Sequence, residues 1–201
     1  MNKHGVTHGR NVVQNIVSLF DLIRNDDLQS DYINQKFLKG KKEVLFSLAT
    51  AGYIHDIGRF YDPEITYHEA NIGCAIDILQ GMIQNEQILG WVAKERIPVI
   101  REKIRELCLC HDNKEMPSNS VEIALVKVAD ALDCSRTRVY TEQDMPELKT
   151  EDEDKKRRLI FSRDKKPEHY FGCYAIKRVN VNYEADEGII DITLDMEDEA
   201  S

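Results

Sequence analysis

The chain has 201 residues, 42% of them hydrophobic and 31% charged, which is the balance of an ordinary globular protein. This length suits one sizeable domain with an appendage and argues against two full domains. The net charge of −9 argues against broad binding to nucleic acid or to an anionic membrane, although a local basic pocket is compatible with it.

Targeting and redox signals favour a cytoplasmic protein. No apolar run approaches the roughly 18 residues that suggest a membrane span, and Met1–Arg10 is too polar for a signal peptide. The five cysteines are an odd number scattered within apolar stretches. They are typical of small buried apolar residues in a reducing compartment, and we expect Cys108 and Cys110 to belong to the core.

Apolar residues recur with helical spacing through the first two thirds of the chain, which predicts a mainly α-helical fold. The first helix spans about Thr7–Ile23, with His8 at the start of its apolar stripe. A short helix over Asp31–Leu38 precedes a longer one over Lys42–Asp56, whose stripe ends at His55. A helix ending there lets His55 and Asp56 turn toward one centre.

Further helices repeat this placement of a polar group on an apolar stripe. A short helix around Trp91 is expected to end at Pro98. Ser120 is a candidate cap for the last helix. The three longer helices, each with its polar group, are Tyr67–Met82 with His68, Val99–His111 with His111, and Val121–Leu132 with Asp130.

After Tyr140 the pattern changes twice. The segment 141–168 is densely charged and is read as a connecting segment, which leaves residues 1–140 as the helical domain. In residues 169–201 apolar residues alternate along Val179–Tyr183 and Ile190–Met196, which predicts a β-hairpin appendage. An isolated hairpin is only marginally stable, so we expect it to pack on the helical domain or to join another copy as a homo-oligomer.

The run His55-Asp56 closes the apolar stretch Val44–Ile54, and a carboxylate buried there needs a cation or several hydrogen bonds. One histidine on an apolar face is commonly a core histidine bonded to a backbone carbonyl. Four of the six histidines placed this way, on different helices, favour a metal site for one or two divalent ions. The six candidate ligands are His8, His55, Asp56, His68, His111 and Asp130.

The order of these ligands resembles that of the HD-domain superfamily of metal-dependent phosphohydrolases. The stretch His55-Asp56-Ile57-Gly58 looks like the motif that names the family, and Val128–Asp133 looks like the segment that carries its last ligand. The resemblance covers about Lys3–Tyr140. With His68 and His111 present, the chain is similar to the binuclear branch of the family.

The resemblance implies a helical bundle around one or two manganese, iron or magnesium ions, and hydrolysis of a phosphate ester. It implies that His8, His55, Asp56 and Asp130 hold the first ion, and that His68 and His111 hold the second with Asp56 as a bridge. Asp56 and Arg59 would be catalytic. Arg59, Arg136 and Arg138 are the candidate phosphate-binding residues.

The sequence disfavours two substrates known for the family but does not identify the substrate of this chain. The GYP signature of cyclic-di-GMP phosphodiesterases is absent after His111, and the acidic pair of guanosine-tetraphosphate hydrolases is absent after Asp56. A nucleotide or another small phosphorylated metabolite remains the expected partner. Two alternatives remain open. The first is a di-iron oxygenase of the HD fold, in which a similar ligand order occurs. The second is a non-catalytic sensing or assembly module that binds metal for structure and uses the hairpin for contacts.

Overall fold

A computed structural model describes residues 6–22, 30–57, 73, 75, 77–81, 91–111, 120–134, 176–184, 186–187 and 189–196. The chain is mainly helical and carries a C-terminal antiparallel hairpin, as predicted. It divides into two compact units, residues 4–131 and residues 132–201 with residues 1–3. The domain boundary placed after residue 140 remains a prediction. None of the described helices is long and apolar enough to cross a membrane.

Among the residues that the structure describes, five α-helices have defined bounds, and residues 73, 75 and 77–81 are helical as well. A 3-10 turn at Lys94–Arg96 leads into the fourth helix. As predicted, Ser120 caps the fifth helix, because its Oγ accepts a hydrogen bond from the backbone N–H of Ile123 at 3.1 Å. The helices are α1 Val6–Leu22, α2 Asp31–Asn34, α3 Lys41–Ile54, α4 Ile97–Cys110 and α5 Val121–Leu132.

Two predicted boundaries were wrong. Helix α2 ends at Asn34 rather than Leu38, because the chain turns at Lys36, whose φ of 61° lies in the left-handed region. Pro98 does not end a helix around Trp91, which lies in a turn. Pro98 instead lies in the first turn of α4, where its missing N–H would have had no intrahelical partner.

Helices α1 and α3 cross closely because a glycine on each removes a side chain from the contact. A Cβ at Gly9 would lie 2.7 Å from the carbonyl oxygen of Tyr53, and a Cβ at Gly52 would lie 2.5 Å from Cδ1 of Ile16. Real Cβ atoms do not approach other atoms this closely, so larger residues would push the helices apart. This crossing brings His8 of α1 against the end of α3.

The starts of α2 and α5 are joined by side-chain hydrogen bonds. The Oε1 atom of the fully buried Glu122 accepts hydrogen bonds from Oγ of Ser30 at 2.5 Å and from the backbone N–H of Tyr32 at 3.2 Å. In return, Oδ2 of Asp31 accepts from the backbone N–H of Val121 at 2.8 Å. These bonds satisfy amides that have no partner within their own helix.

Strands β1 Ile176–Glu184 and β2 Ile189–Met196 form the two-stranded antiparallel hairpin. The pairs Val179–Leu194 and Val181–Ile192 lie directly opposite each other, so their side chains share one apolar face. Ile192 and Leu194 remain 48% and 44% exposed. Oligomerisation through the hairpin stays a prediction.

Candidate metal centre

Five of the six predicted ligands lie at helix ends that meet at one place. His8 lies in the first turn of α1, and Asp130 lies in the last turn of α5. His55 and Asp56 directly follow α3, while His111 directly follows α4. All are buried except Asp130, whose side chain is 23% exposed. The expectation that the polar ends of apolar stripes converge is confirmed for these residues.

The donor atoms are spaced as ligands of a shared ion would be. Nε2 of His8 lies 3.2 Å from Nε2 of His55 and 3.2 Å from Oδ1 of Asp130. Nε2 of His55 lies 3.4 Å from Oδ2 of Asp56 and 3.6 Å from Oδ1 of Asp130. Donors at about 2.1 Å from one ion are about 3.0 Å apart at right angles and about 3.4 Å apart in a tetrahedron. The residues therefore fit a divalent metal.

Asp56 faces two groups of imidazoles with its two oxygens. Oδ2 lies 3.8 Å from Nε2 of His8, whereas Oδ1 lies 4.0 Å from Nε2 of His111. Within the described part of the chain, two sets of donors could hold an ion, one of His8, His55 and Asp56 and the other of His55, His111 and Asp130. A carboxylate that presents one oxygen to each side has the orientation that a bridging ligand requires.

Backbone carbonyls set the orientation of two of the imidazoles. Nδ1 of His55 donates to the carbonyl of Gly52 at 2.9 Å, and Nδ1 of His111 donates to the carbonyl of Cys108 at 2.6 Å. A carbonyl can only accept, so in the neutral rings the hydrogen is on Nδ1. The Nε2 lone pairs are then directed at the cluster, as metal-binding histidines require.

The two carboxylates of the cluster make it electrostatically favourable for a cation. Burial lowers the pKa of His55, but hydrogen bonds and charge from Asp130 and Asp56 outweigh it and raise this pKa to about 10. Burial and the charge on His55 lower the pKa of His111 to about 4. In the metal-free protein near neutral pH, the His55 imidazole is therefore positively charged, with a proton on each nitrogen, and the His111 imidazole is neutral. The second proton on His55 supplies positive charge that a bound metal ion would supply in its place.

The two neighbouring cysteines belong to the core, as predicted. Cys108 is fully buried and its Sγ lies 3.9 Å from the carbonyl oxygen of Ala51. Burial and the nearby charge of Asp56 raise the pKa of the Cys108 thiol to about 12. Cys110 is also buried. Because thiolates rather than thiols bind metals, Cys108 is poorly suited to be a ligand.

Four predicted site residues, His68, Arg59, Arg136 and Arg138, lie outside the described residues. Sequence reasoning missed the glycines that permit the α1–α3 crossing and the carbonyls that orient His55 and His111. Glycine inside an apolar helical stripe is a usable signal for such a crossing, because it weakens a helix unless packing requires it. No comparable signal marks a carbonyl acceptor.

Comparison with known proteins adds no relative of this chain. No protein-family model matches it, and no curated protein or solved structure matches it. A functional assignment therefore depends on the chemistry of His8, His55, Asp56, His111 and Asp130, which the structure brings together.

Proposed function

We propose that the chain is a metal-dependent phosphohydrolase or phosphodiesterase of the HD-domain type, acting on a nucleotide or another small phosphate ester. The observation that supports it is the convergence of three histidines and two aspartates from four helices at ligand spacing. Their order along the chain is the one that the HD-domain resemblance implies. Manganese, iron and magnesium are the expected metals.

A divalent ion bound here would lower the pKa of a water molecule toward neutrality and would offset the charge of phosphate oxygens. Residues of the chain already orient two of the imidazoles for binding an ion. The carbonyls of Gly52 and Cys108 hold the rings of His55 and His111 with Nε2 toward the cluster. Nε2 of His55 would have to be unprotonated to hold an ion, since the same nitrogen cannot hold both a proton and a metal.

The charge of the cluster favours two ions over one for a phosphate substrate. With neutral imidazoles, Asp56 and Asp130 contribute two negative charges. One divalent ion would only neutralise them, whereas two would leave a net positive charge that attracts a phosphate anion. The orientation of Asp56 supports a bridge between two ions, and His68 is the additional ligand that the resemblance assigns to the second.

The first experiment determines metal content and activity together. Protein purified without added metal is analysed for its elements, and the metal-loaded protein is then assayed against phosphomonoesters, phosphodiesters and nucleotides. We expect one or two ions per chain and hydrolysis of at least one class. Asp56→Ala should abolish both, whereas Asp21→Ala, which removes an exposed carboxylate of α1, should change neither.

Several outcomes would replace this proposal. A metal-bound sensing or assembly module would be favoured by either of two results. One is a folded Asp56→Ala protein that keeps all measurable activity, and the other is a metal-loaded wild type that is inactive across the whole panel. Oxygen consumption together with a mixed-valent iron signal would favour an oxygenase. Full activity with manganese under anaerobic conditions would exclude the oxygenase and support hydrolysis.

A further inference from the structure

We propose that Asn15 is a positioning residue for the metal centre, because it holds the last turn of α5 and thereby places Asp130. Nδ2 of Asn15 donates a hydrogen bond to the backbone carbonyl of Ala129 at 3.0 Å. Ala129 immediately precedes Asp130, and the bond joins α1 to α5 across 114 residues of sequence. The inference rests on the proposed function only in treating Asp130 as a metal ligand.

The Ala129 carbonyl lies in the last turn of α5, which ends at Leu132. The corresponding carbonyls of α3 and α4 accept the final hydrogen bond of their helix from the residue that follows it. The carbonyl of Ala129 therefore lies at the boundary beyond which carbonyls have no intrahelical partner, and a carbonyl oxygen has a second lone pair for another donor. Asn15 supplies that donor from a neighbouring helix, and it opposes fraying of the turn that contains Asp130.

Asp130 is the ligand that depends most on such support. Its side chain is 23% exposed, whereas those of Asp56 and His8 are 8% and 2% exposed. Because more of this side chain faces solvent, its placement depends more on the position of its backbone. Its Oδ1 must nevertheless stay 3.2 Å from Nε2 of His8 to share an ion with it.

Helix α1 links the two ligands directly. Asn15 lies seven residues after His8, which is about two helical turns, so the two side chains lie on the same side of α1. One helix therefore carries a ligand at its first turn and, two turns later, the donor that fixes the opposing ligand. Motion of α5 relative to His8 is restrained by a hydrogen bond and not only by apolar packing.

Asn15→Leu and Asn15→Ala both remove the donor and leave the rest of the site unchanged. Leucine has nearly the shape of asparagine, and both replacements have higher helix propensity, so α1 should not unfold. Gln14→Ala is the matched control, because Gln14 is the exposed polar neighbour on the same helix. Metal-free forms of all four proteins are titrated with Mn²⁺ alone, and the free ion is followed by electron paramagnetic resonance.

We expect both Asn15 variants to bind Mn²⁺ about tenfold more weakly, the lower range for loss of a residue that orients a ligand. Amide hydrogen exchange at Asp130 and Ala131 should become faster, while the melting temperature of the metal-free protein should change little. Gln14→Ala should match the wild type in all three measurements.

Unchanged Mn²⁺ affinity in both Asn15 variants would overturn the inference, even if their melting temperatures fell, because that result describes a purely structural bond. It would leave the proposed hydrolase untouched. A wild type that binds Mn²⁺ but hydrolyses nothing would reject the proposed function, while weaker binding in the variants would still support Asn15 as a positioning residue. A wild type that binds none of Mn²⁺, Fe²⁺ and Mg²⁺ would reject both.

Discussion

Two buried carboxylates in the helical unit differ in the chemistry that surrounds them. Glu122, at the start of α5, is fully buried and accepts from the hydroxyl of Ser30 and the amide of Tyr32, which are neutral donors. Asp56 is similarly buried, yet the groups around it are the imidazoles of His8 and His55. The first carboxylate joins two helix ends, whereas the second belongs to a set of groups that could hold a metal ion.

The comparison shows that burial of an acid does not by itself identify a site. A buried carboxylate must be compensated, and neutral hydrogen-bond donors can do so while they also satisfy helix-terminal amides. Imidazoles add a second property, since each presents a lone pair to a cation once its other nitrogen is engaged. The chemistry of the partners therefore distinguishes the candidate metal centre from the structural contact of Glu122.

The largest effect is expected from His55→Ala. This change removes a ligand and leaves Asp56 and Asp130 without their main compensating group. Breaking a buried ion pair in this way costs about 3–5 kcal/mol, so the metal-free variant should be strongly destabilised. Elemental analysis should find no bound metal, and hydrolysis should fall below detection. Full metal content in this variant would refute the site.

Glu122→Ala should have a smaller effect of a different kind. It leaves the buried Ser30 hydroxyl and Tyr32 amide without their acceptor, which costs about 1–3 kcal/mol in the free energy of unfolding. Urea denaturation measures this loss, and metal content should stay at the wild-type level. Glu122→Gln keeps an amide oxygen as acceptor, so we expect it to be closer to the wild type. Loss of metal from Glu122→Gln would show that the two carboxylates are not independent.

Gly9→Ala tests whether the close crossing of α1 and α3 matters to the cluster. The new methyl group would meet the Tyr53 carbonyl oxygen at 2.7 Å, and overpacking of this kind costs about 1–3 kcal/mol. We expect lower stability in urea and weaker Mn²⁺ binding, because His8 lies next to the displaced residue. Gly73→Ala is the control, since Gly73 is exposed, helical and has open space around it. It should bind Mn²⁺ as the wild type does.

The convergence of the candidate ligands could be predicted from the sequence because each is a polar residue at a position where helical spacing predicts an apolar one. His8, His55 and Asp130 could be found this way without knowledge of the partner helix. The contact between Ser30 and Glu122 could not, because Glu122 has no local feature that separates it from a solvated acid. The prediction that Pro98 ends a helix failed because proline is common both just after a helix end and in the first turn of a helix, so the residue alone does not distinguish the two.

The smallest predicted effect is a proton released on metal binding. The carboxylates raise the pKa of His55 to about 10 in the metal-free protein, above its ordinary value of 6.5. Its contribution to stability is therefore complete below pH 6.5 and is lost as the pH rises toward 10. A metal ion needs Nε2 of His55 unprotonated, so metal binding near pH 7.5 should release about one proton. Gly73→Ala, which leaves the cluster intact, should release the same number.

Calorimetric titration with Mn²⁺ in two buffers of different ionisation enthalpy measures this number directly. Apparent affinity should also rise about tenfold per pH unit between pH 7 and 8, because one proton leaves for each ion bound. An identical heat in both buffers would mean that His55 is neutral before the ion arrives. The charges of Asp56 and Asp130 would then be offset only by neutral groups, and an ion would bind without displacing a proton.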